Sequence, residues 1–336
     1  MEVPRPRAVL RGHTSGIGAA AFIVRPSQAE PRDSDYLVLS GDVTGRVMGW
    51  NPDTRECVYD APAALKSAAC DIVPLQVQDV RALLRDKTGR LIVWRETGML
   101  ELRCAVAPGF GKAGWNGHDL VALVAGDSAN QVQLLDVHND SIVSTFSHPA
   151  GNHSSELGMI TAVSFCDHNK DLLCVAHESG ALCLWSVRAP ATFQQLAQVQ
   201  AGSDPLLSCV TYRDRCATGG ASANIGVYNT SKFTQSARIA LRSSGVSQLA
   251  WRPDGKLLAA GCWDGHVRIF DGRVRTEAST SDEQGSLADP SLRRLAVLKY
   301  HTQSTTCVAF SPDSRSLLSA SQDAKVALWA LYPPAS

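Results

Sequence analysis

Residues 298–329, LKYHTQSTTCVAFSPDSRSLLSASQDAKVALW, decide the fold. Two alternating apolar runs, TTCVAF and SLLSAS, flank the turn signal Ser311-Pro312-Asp313-Ser314, and a third run, KVALW, follows Gln322-Asp323-Ala324. Side chains on a strand point to opposite faces in turn, so such runs read as strands and the Pro/Asp/Ser clusters as hairpin turns. One three-stranded meander of this size is marginal in water. It needs copies of itself to pack against.

The copies are present. Aligned on the third run they are LSGDVTGRVMGW, LLRDKTGRLIVW, VAGDSANQVQLL, CVAHESGALCLW, ATGGASANIGVY, AAGCWDGHVRIF and LSASQDAKVALW, ending at Trp50, Trp94, Leu135, Trp185, Tyr228, Phe270 and Trp329. The end points lie 44, 41, 50, 43, 42 and 59 residues apart. A period of this size with short strands is the signature of propeller blades. Gly12-His13, the Ser-rich second strand, the turn Asp and the terminal Trp resemble the WD40 family. The expectation is an all-β chain forming one seven-bladed WD40 β-propeller over residues 1–336.

The last unit is followed directly by Leu331-Tyr332-Pro333-Pro334 and so lacks an outer strand. Ala8-Val9-Leu10 precedes Gly12-His13 as an outer strand precedes the next blade. Residues 8–11 are therefore expected to pair with Lys325–Trp329 and close the ring, which removes two sheet edges. With a strand from about residue 8, no helix is expected ahead of it, and hence no coiled coil with a G-protein gamma subunit.

Composition narrows the function classes. Lys plus Arg and Asp plus Glu number 32 each, without a long like-charge block, so the linear sequence shows no basic face for nucleic acid. The ten cysteines form no Cys-x-x-Cys pair and several sit in strand runs, which reads as small buried hydrophobes in a reducing compartment. No apolar leader or membrane-length run is present, and an intracellular soluble chain without membrane contact is expected.

Three stretches interrupt the register. Pro108–Gly117 is Gly-rich, but no Lys-Ser/Thr pair follows its last Gly, so it reads as a flexible blade loop and not as a phosphate cradle. The connection after Asp136 carries His138, His148 and His153 without Cys or carboxylate partners at ligand spacing, so no metal is expected. Residues 272–293, between the third and fourth strands of blade six, are rich in Ser, Thr, Asp, Glu and Gln and read as a mobile insertion. The polar segment Pro26–Asp35 reads as a loop of blade one.

No nucleophile elbow or His-Glu-x-x-His is found, and neither catalysis nor a cofactor is expected. His301, Ser319, Asp323 and Trp329 match a Ser/His/Asp set by type, but the WD40 resemblance implies a structural network of blade-entry His, Ser, turn Asp and Trp. On the pattern, only the last blade has the full set. Blade one keeps His13, Ser40 and Trp50 with Thr44 at the Asp position, and blade six keeps Asp264 but ends in Phe270.

AAGCWDGHVRIF and the stretch RRLAVLKYH to LWALYP resemble, over residues 245–334, the group of guanine-nucleotide-binding-protein beta-subunit-like 1 proteins, whose fungal members are called ASTRA-associated protein 1. That resemblance implies a non-catalytic scaffold for other proteins. It would be a single chain within an ASTRA-like complex linked to chromatin remodelling and to co-chaperone maturation of phosphatidylinositol-3-kinase-related kinases, resident in the nucleus and secondarily in the cytoplasm. The alternative is a substrate receptor of a cullin-type ubiquitin ligase. Trp115 and Trp263, outside the strand-ending and strand-opening slots, are the candidate partner contacts.

Overall fold

A computed structural model describes residues 4–25, 36–95, 98–101, 106–125, 131–147, 157–188, 192–242, 245–273 and 292–331. The loop at 26–35, Cys104, His148, His153, the stretch 274–291 whose mobility the composition suggested, and residues 332–336 lie outside them. Twenty-eight strands form seven four-stranded antiparallel sheets, with no helix among the described residues. Blade one comprises Ile17–Val24, Tyr36–Asp42, Val47–Trp50 and Cys57–Ala61 from the inside outward. Blade seven comprises Thr305–Phe310, Ser316–Ser321, Lys325–Ala330 and, as its outer strand, Ala8–Arg11. Blades three and five, the least regular in sequence, are also four-stranded.

The closing strand pairs with Lys325–Ala330 as expected, with Ala8, Val9, Leu10 and Arg11 opposite Leu328, Ala327, Val326 and Lys325. The Arg7 backbone N–H extends the ladder to Leu328 O at 2.7 Å. Leu10 is buried in a cluster that also takes Phe22, Met48 and Trp50 of blade one and Leu318 and Leu328 of blade seven.

Alternation along each strand divides its side chains between two neighbouring cores. In the inner strand IGAAAFIV, Ala20 and Phe22 pack toward blade seven, whereas Ala19, Ala21 and Ile23 pack toward blade two. Both faces are dry, which explains why this inner run is continuously apolar. Seven clusters of this kind fill the seven gaps between adjacent blades. Sheets converge toward the centre, so the inner strand of blade one carries Gly18 and three alanines where it meets its neighbours. A Cβ at Gly18 would stand 2.1 Å from Ala69 O of the next blade.

Five of the seven aromatic or Leu residues that mark the repeat sit at a local backbone irregularity. The pairing of third with outer strand shifts register at Gly49/Trp50, Leu134/Leu135, Leu184/Trp185, Val227/Tyr228 and Ile269/Phe270. A bulge at this point re-aims the large side chain into the gap between blades and increases the local twist.

Pro108–Gly117 departs from the loop expectation. Gly114–Trp115 is the inner strand of blade three, and the residues before it clasp both neighbours. Lys112 N–H donates to Thr161 O and Val163 N–H to Lys112 O, each at 3.0 Å, while Ala113 N–H donates to Asp71 Oδ2 at 2.7 Å. Glycine is required because a Cβ at Gly111 would lie 2.7 Å from the Val124 side chain, and one at Gly114 would lie 2.9 Å from Val163 O. Close packing, not flexibility, explains the composition.

Leu10→Ala should cost about 2–5 kcal/mol, the range for truncating a buried Leu, read as a lower midpoint in urea unfolding. An unchanged midpoint would contradict closure by the N-terminal strand.

Candidate functional site

The polar groups of the ring converge where the loops entering each blade meet the hairpin turns between second and third strands. In blade seven, His301 Nδ1 lies 3.1 Å from Asp323 Oδ1, and Nε2 lies 2.9 Å from Ser319 Oγ. Trp329 Nε1–H donates to the same Oγ at 2.9 Å, and Thr302 N–H donates to Asp323 Oδ2 at 3.2 Å. An ionised carboxylate only accepts, so the imidazole carries its proton on Nδ1 and Nε2 accepts from the Ser319 hydroxyl. Ser319 is wholly buried and its oxygen is already held by the indole. The set therefore ties a loop to a turn, and a substrate has no approach to the hydroxyl.

Blade one corrects the sequence reading, because it holds a second complete network. Asp42, two residues before Thr44, accepts from His13 Nδ1 at 2.9 Å, while His13 Nε2 lies 2.8 Å from Ser40 Oγ and Trp50 Nε1–H donates to Ser40 Oγ at 2.9 Å. Thr44 caps the other Asp42 oxygen through N–H at 2.9 Å and its hydroxyl at 2.6 Å. Blade two repeats this turn with Asp86 and Thr88, and there Lys66 N–H supplies the inter-loop bond to Asp86 Oδ2 at 3.1 Å. The sequence signal was available: Asp-x-Thr-Gly-Arg occurs at both 42–46 and 86–90.

Blade six uses other chemistry. Asp264 takes Arg268 Nη1 at 3.0 Å and Nη2 at 2.6 Å, and His266 N–H at 3.2 Å. Ala260 stands opposite Arg268, where blade seven has Ser319 opposite Ala327. In blade five, buried Tyr228 and Thr218 stand in the slots that Trp and Ser occupy elsewhere.

The two candidate contact tryptophans separate. Trp115 is half-buried, packs with Ala113 and Ile142 on the core between blades two and three, and donates Nε1–H to His118 O at 3.4 Å. Its inner-strand position makes it a core residue. Trp263 is 45% exposed on the Asp264 turn, its ring covering Gly245, where a Cβ would stand 2.1 Å from the ring.

Burial, partly offset by the aspartates, holds His13 and His301 below the ordinary histidine value of 6.5. Burial alone would raise the carboxyls, but their hydrogen bonds and the imidazoles outweigh it and hold Asp42 and Asp323 below the usual 3.8. Among the described residues, no group of three or more His, Cys, Asp or Glu could hold a metal, and His138 is exposed in a turn. Cys166, Cys174, Cys209 and Cys216 lie buried between blades four and five. The hydrogen bond with Cys174 and burial raise the Cys166 thiol, at Cys174 and Cys216 a neighbouring thiol's hydrogen bond lowers the value but burial and the other thiols outweigh it, and burial raises Cys209, so all four stay protonated.

The family model described as "WD domain, G-beta repeat" matches residues 235–271 and 292–330. The chain carries WD40 repeats. Each matched WD40 segment starts on an outer strand and ends on the third strand of the next blade, the offset that leaves Ala8–Arg11 to complete the last sheet. The chain is 26% identical to guanine nucleotide-binding protein subunit beta-like protein 1 of Mus musculus, over 98% of this chain and 97% of that one. It is 24% identical to ASTRA-associated protein 1 of Schizosaccharomyces japonicus, over 99% and 100%. A chain in the crystal structure of the mitotic checkpoint complex superposes with a TM-score of 0.73 at 15% identity, covering 97% of this chain and 92% of that chain, which shows the shared propeller fold.

Asp42→Ala and Asp323→Ala should each lower stability by about 1–3 kcal/mol, because buried donors lose their acceptor, read as earlier melting with secondary structure retained. The histidines titrate below their unfolded value, so the unfolded chain binds more protons as pH falls below about 6.5. Their share of stability is full above that pH and is lost on acidification toward the depressed folded values. The melting temperature should drop over this window, and the drop should shrink in His13→Gln/His301→Gln; an equal drop in that variant would assign the effect elsewhere.

Proposed function

We propose that this chain is a non-catalytic scaffold for other proteins and a subunit of an ASTRA-type assembly, serving chromatin remodelling and the maturation of phosphatidylinositol-3-kinase-related kinases in the nucleus. The observation that carries the reading is the end-to-end correspondence with ASTRA-associated protein 1, over 99% of this chain and 100% of that one. A relationship confined to one or two blades would reflect the repeat alone; one that runs through the irregular blades as well points to a shared role. The chemistry agrees. The one Ser/His/Asp type of constellation in the ring is buried and spent on cross-linking loops. What a rigid propeller then offers is its loops and turns, fixed relative to one another and ready to bind without large ordering costs.

Affinity purification of the tagged full chain followed by mass spectrometry tests this. Recovery of ASTRA-type subunits and kinase-maturation factors is the expected result. Recovery of a cullin adaptor in their place would convert the reading to a ubiquitin-ligase receptor.

A further inference from the structure

Resting on the scaffold reading, we propose that the rim of blades one to three docks an acidic protein segment carrying apolar side chains, through an arc made by Val43, Lys66, Lys87 and Phe110. The arc is built from two hairpin turns and two inter-blade loops in ring order. Main-chain hydrogen bonds join them in series. Val43 N–H donates to Gly16 O at 2.9 Å, Leu65 N–H to Gly45 O at 3.0 Å, Lys87 N–H to Ala68 O at 3.1 Å and Gly109 N–H to Lys87 O at 3.2 Å. Gly45 and Gly89 hold the turns at φ +88° and +85°, where a Cβ would strike the neighbouring loop's carbonyls at 2.3 and 2.1 Å. The four side chains therefore stand on a fixed frame.

Charge on this frame is sorted by depth. Its carboxylates, Asp42, Asp71 and Asp86, are buried and occupied by His13, by Ala113 N–H, and by Thr88 and Lys66 N–H respectively. Asp60, at the outer margin, is held by Arg46. The Lys66 and Lys87 side chains are exposed, and their ammonium groups have no hydrogen bond or ion pair among the described residues. Flanking them, Val43 is 51% and Phe110 49% exposed, two of the six large hydrophobics that stand out from the described surface. Apolar, cationic, cationic, apolar is complementary to a chain that presents carboxylates between hydrophobic side chains, and cations released from competing carboxylates steer such a chain. A phosphate backbone would instead call for a continuous basic stripe, and the chain as a whole carries no net charge.

The test uses the full chain and a fluorescein-labelled peptide in which Glu alternates with Leu and Phe. Anisotropy should report binding that weakens as salt rises. Lys66→Glu/Lys87→Glu should weaken it about tenfold or more, a loss of about 1.4 kcal/mol or above. Phe110→Ser should weaken it several-fold, and Lys66→Arg/Lys87→Arg should retain it. A peptide with Lys in place of Glu should prefer the charge-reversed variant. All four side chains are exposed, so melting should stay at the wild-type value and misfolding is not confounded with lost binding. Absence of peptide binding, equal binding by the charge-reversed variant, or displacement by a single-stranded oligonucleotide of equal charge would each overturn the proposal. The two readings fail separately. If wild type retrieves its assembly from cells and the charge-reversed chain retrieves it equally, only the arc is refuted; if wild type retrieves none, the ASTRA-type reading is refuted, and the peptide titration still judges the arc.

Discussion

Everything in this molecule depends on four residues at one end of the chain pairing with a strand at the other. A propeller blade has two sheet faces to bury and two edges to satisfy. Inner edges face the central channel and outer edges face outward, but an open ring would also expose two whole blade faces. Pairing Ala8–Arg11 with Lys325–Ala330 fixes blade seven against blade one and turns six inter-blade cores into seven. The contribution is cooperative, because each blade draws one face of its core from each neighbour, and loss of one gap leaves two blades half-wetted.

The same closure explains where polar groups were free to evolve. Inside the ring the inner three strands of each blade are covered on both sides, so a polar side chain there is costly unless it is paired. The His–Asp–Ser–Trp networks of blades one and seven meet that requirement with neutral imidazole, ionised carboxylate, hydroxyl and indole, each with a partner. They fall on the two blades that share the closing seam, and each ties an inter-blade loop to a turn. Elsewhere the same slots hold different solutions: Asp264 with Arg268, and Asp86 with the Lys66 backbone. Drawing carboxylates inward to cap turns leaves Lys66 and Lys87 exposed and without an ion pair among the described residues. A neutral chain thereby acquires a locally basic rim.

Much of this was written in the one-dimensional pattern. Strand runs, Pro/Asp/Gly turns and a recurrent terminal aromatic are local signals, since period-two burial and turn chemistry act over a few residues, and they set the number of blades and the identity of the closing strand. The network of blade seven was equally legible, because its four residues match the positions that the WD40 resemblance implies. What the pattern could not decide was anything that depends on which side chain reaches across a gap. Asp42 replaces the expected turn residue because a hairpin brings position 42 as near to His13 as position 323 is to His301, a fact of three-dimensional reach. Gly-rich Pro108–Gly117 looks flexible in sequence and is among the most tightly clasped segments, since only contact with Val124 and Val163 shows why side chains are missing there. Trp115 and Trp263 are indistinguishable as letters; the sheet puts one against a core and leaves the other on the rim. Local chemistry thus determined the elements, and the closing of the ring determined their neighbours, because burial and charge pairing belong to the space between blades and not to any single strand.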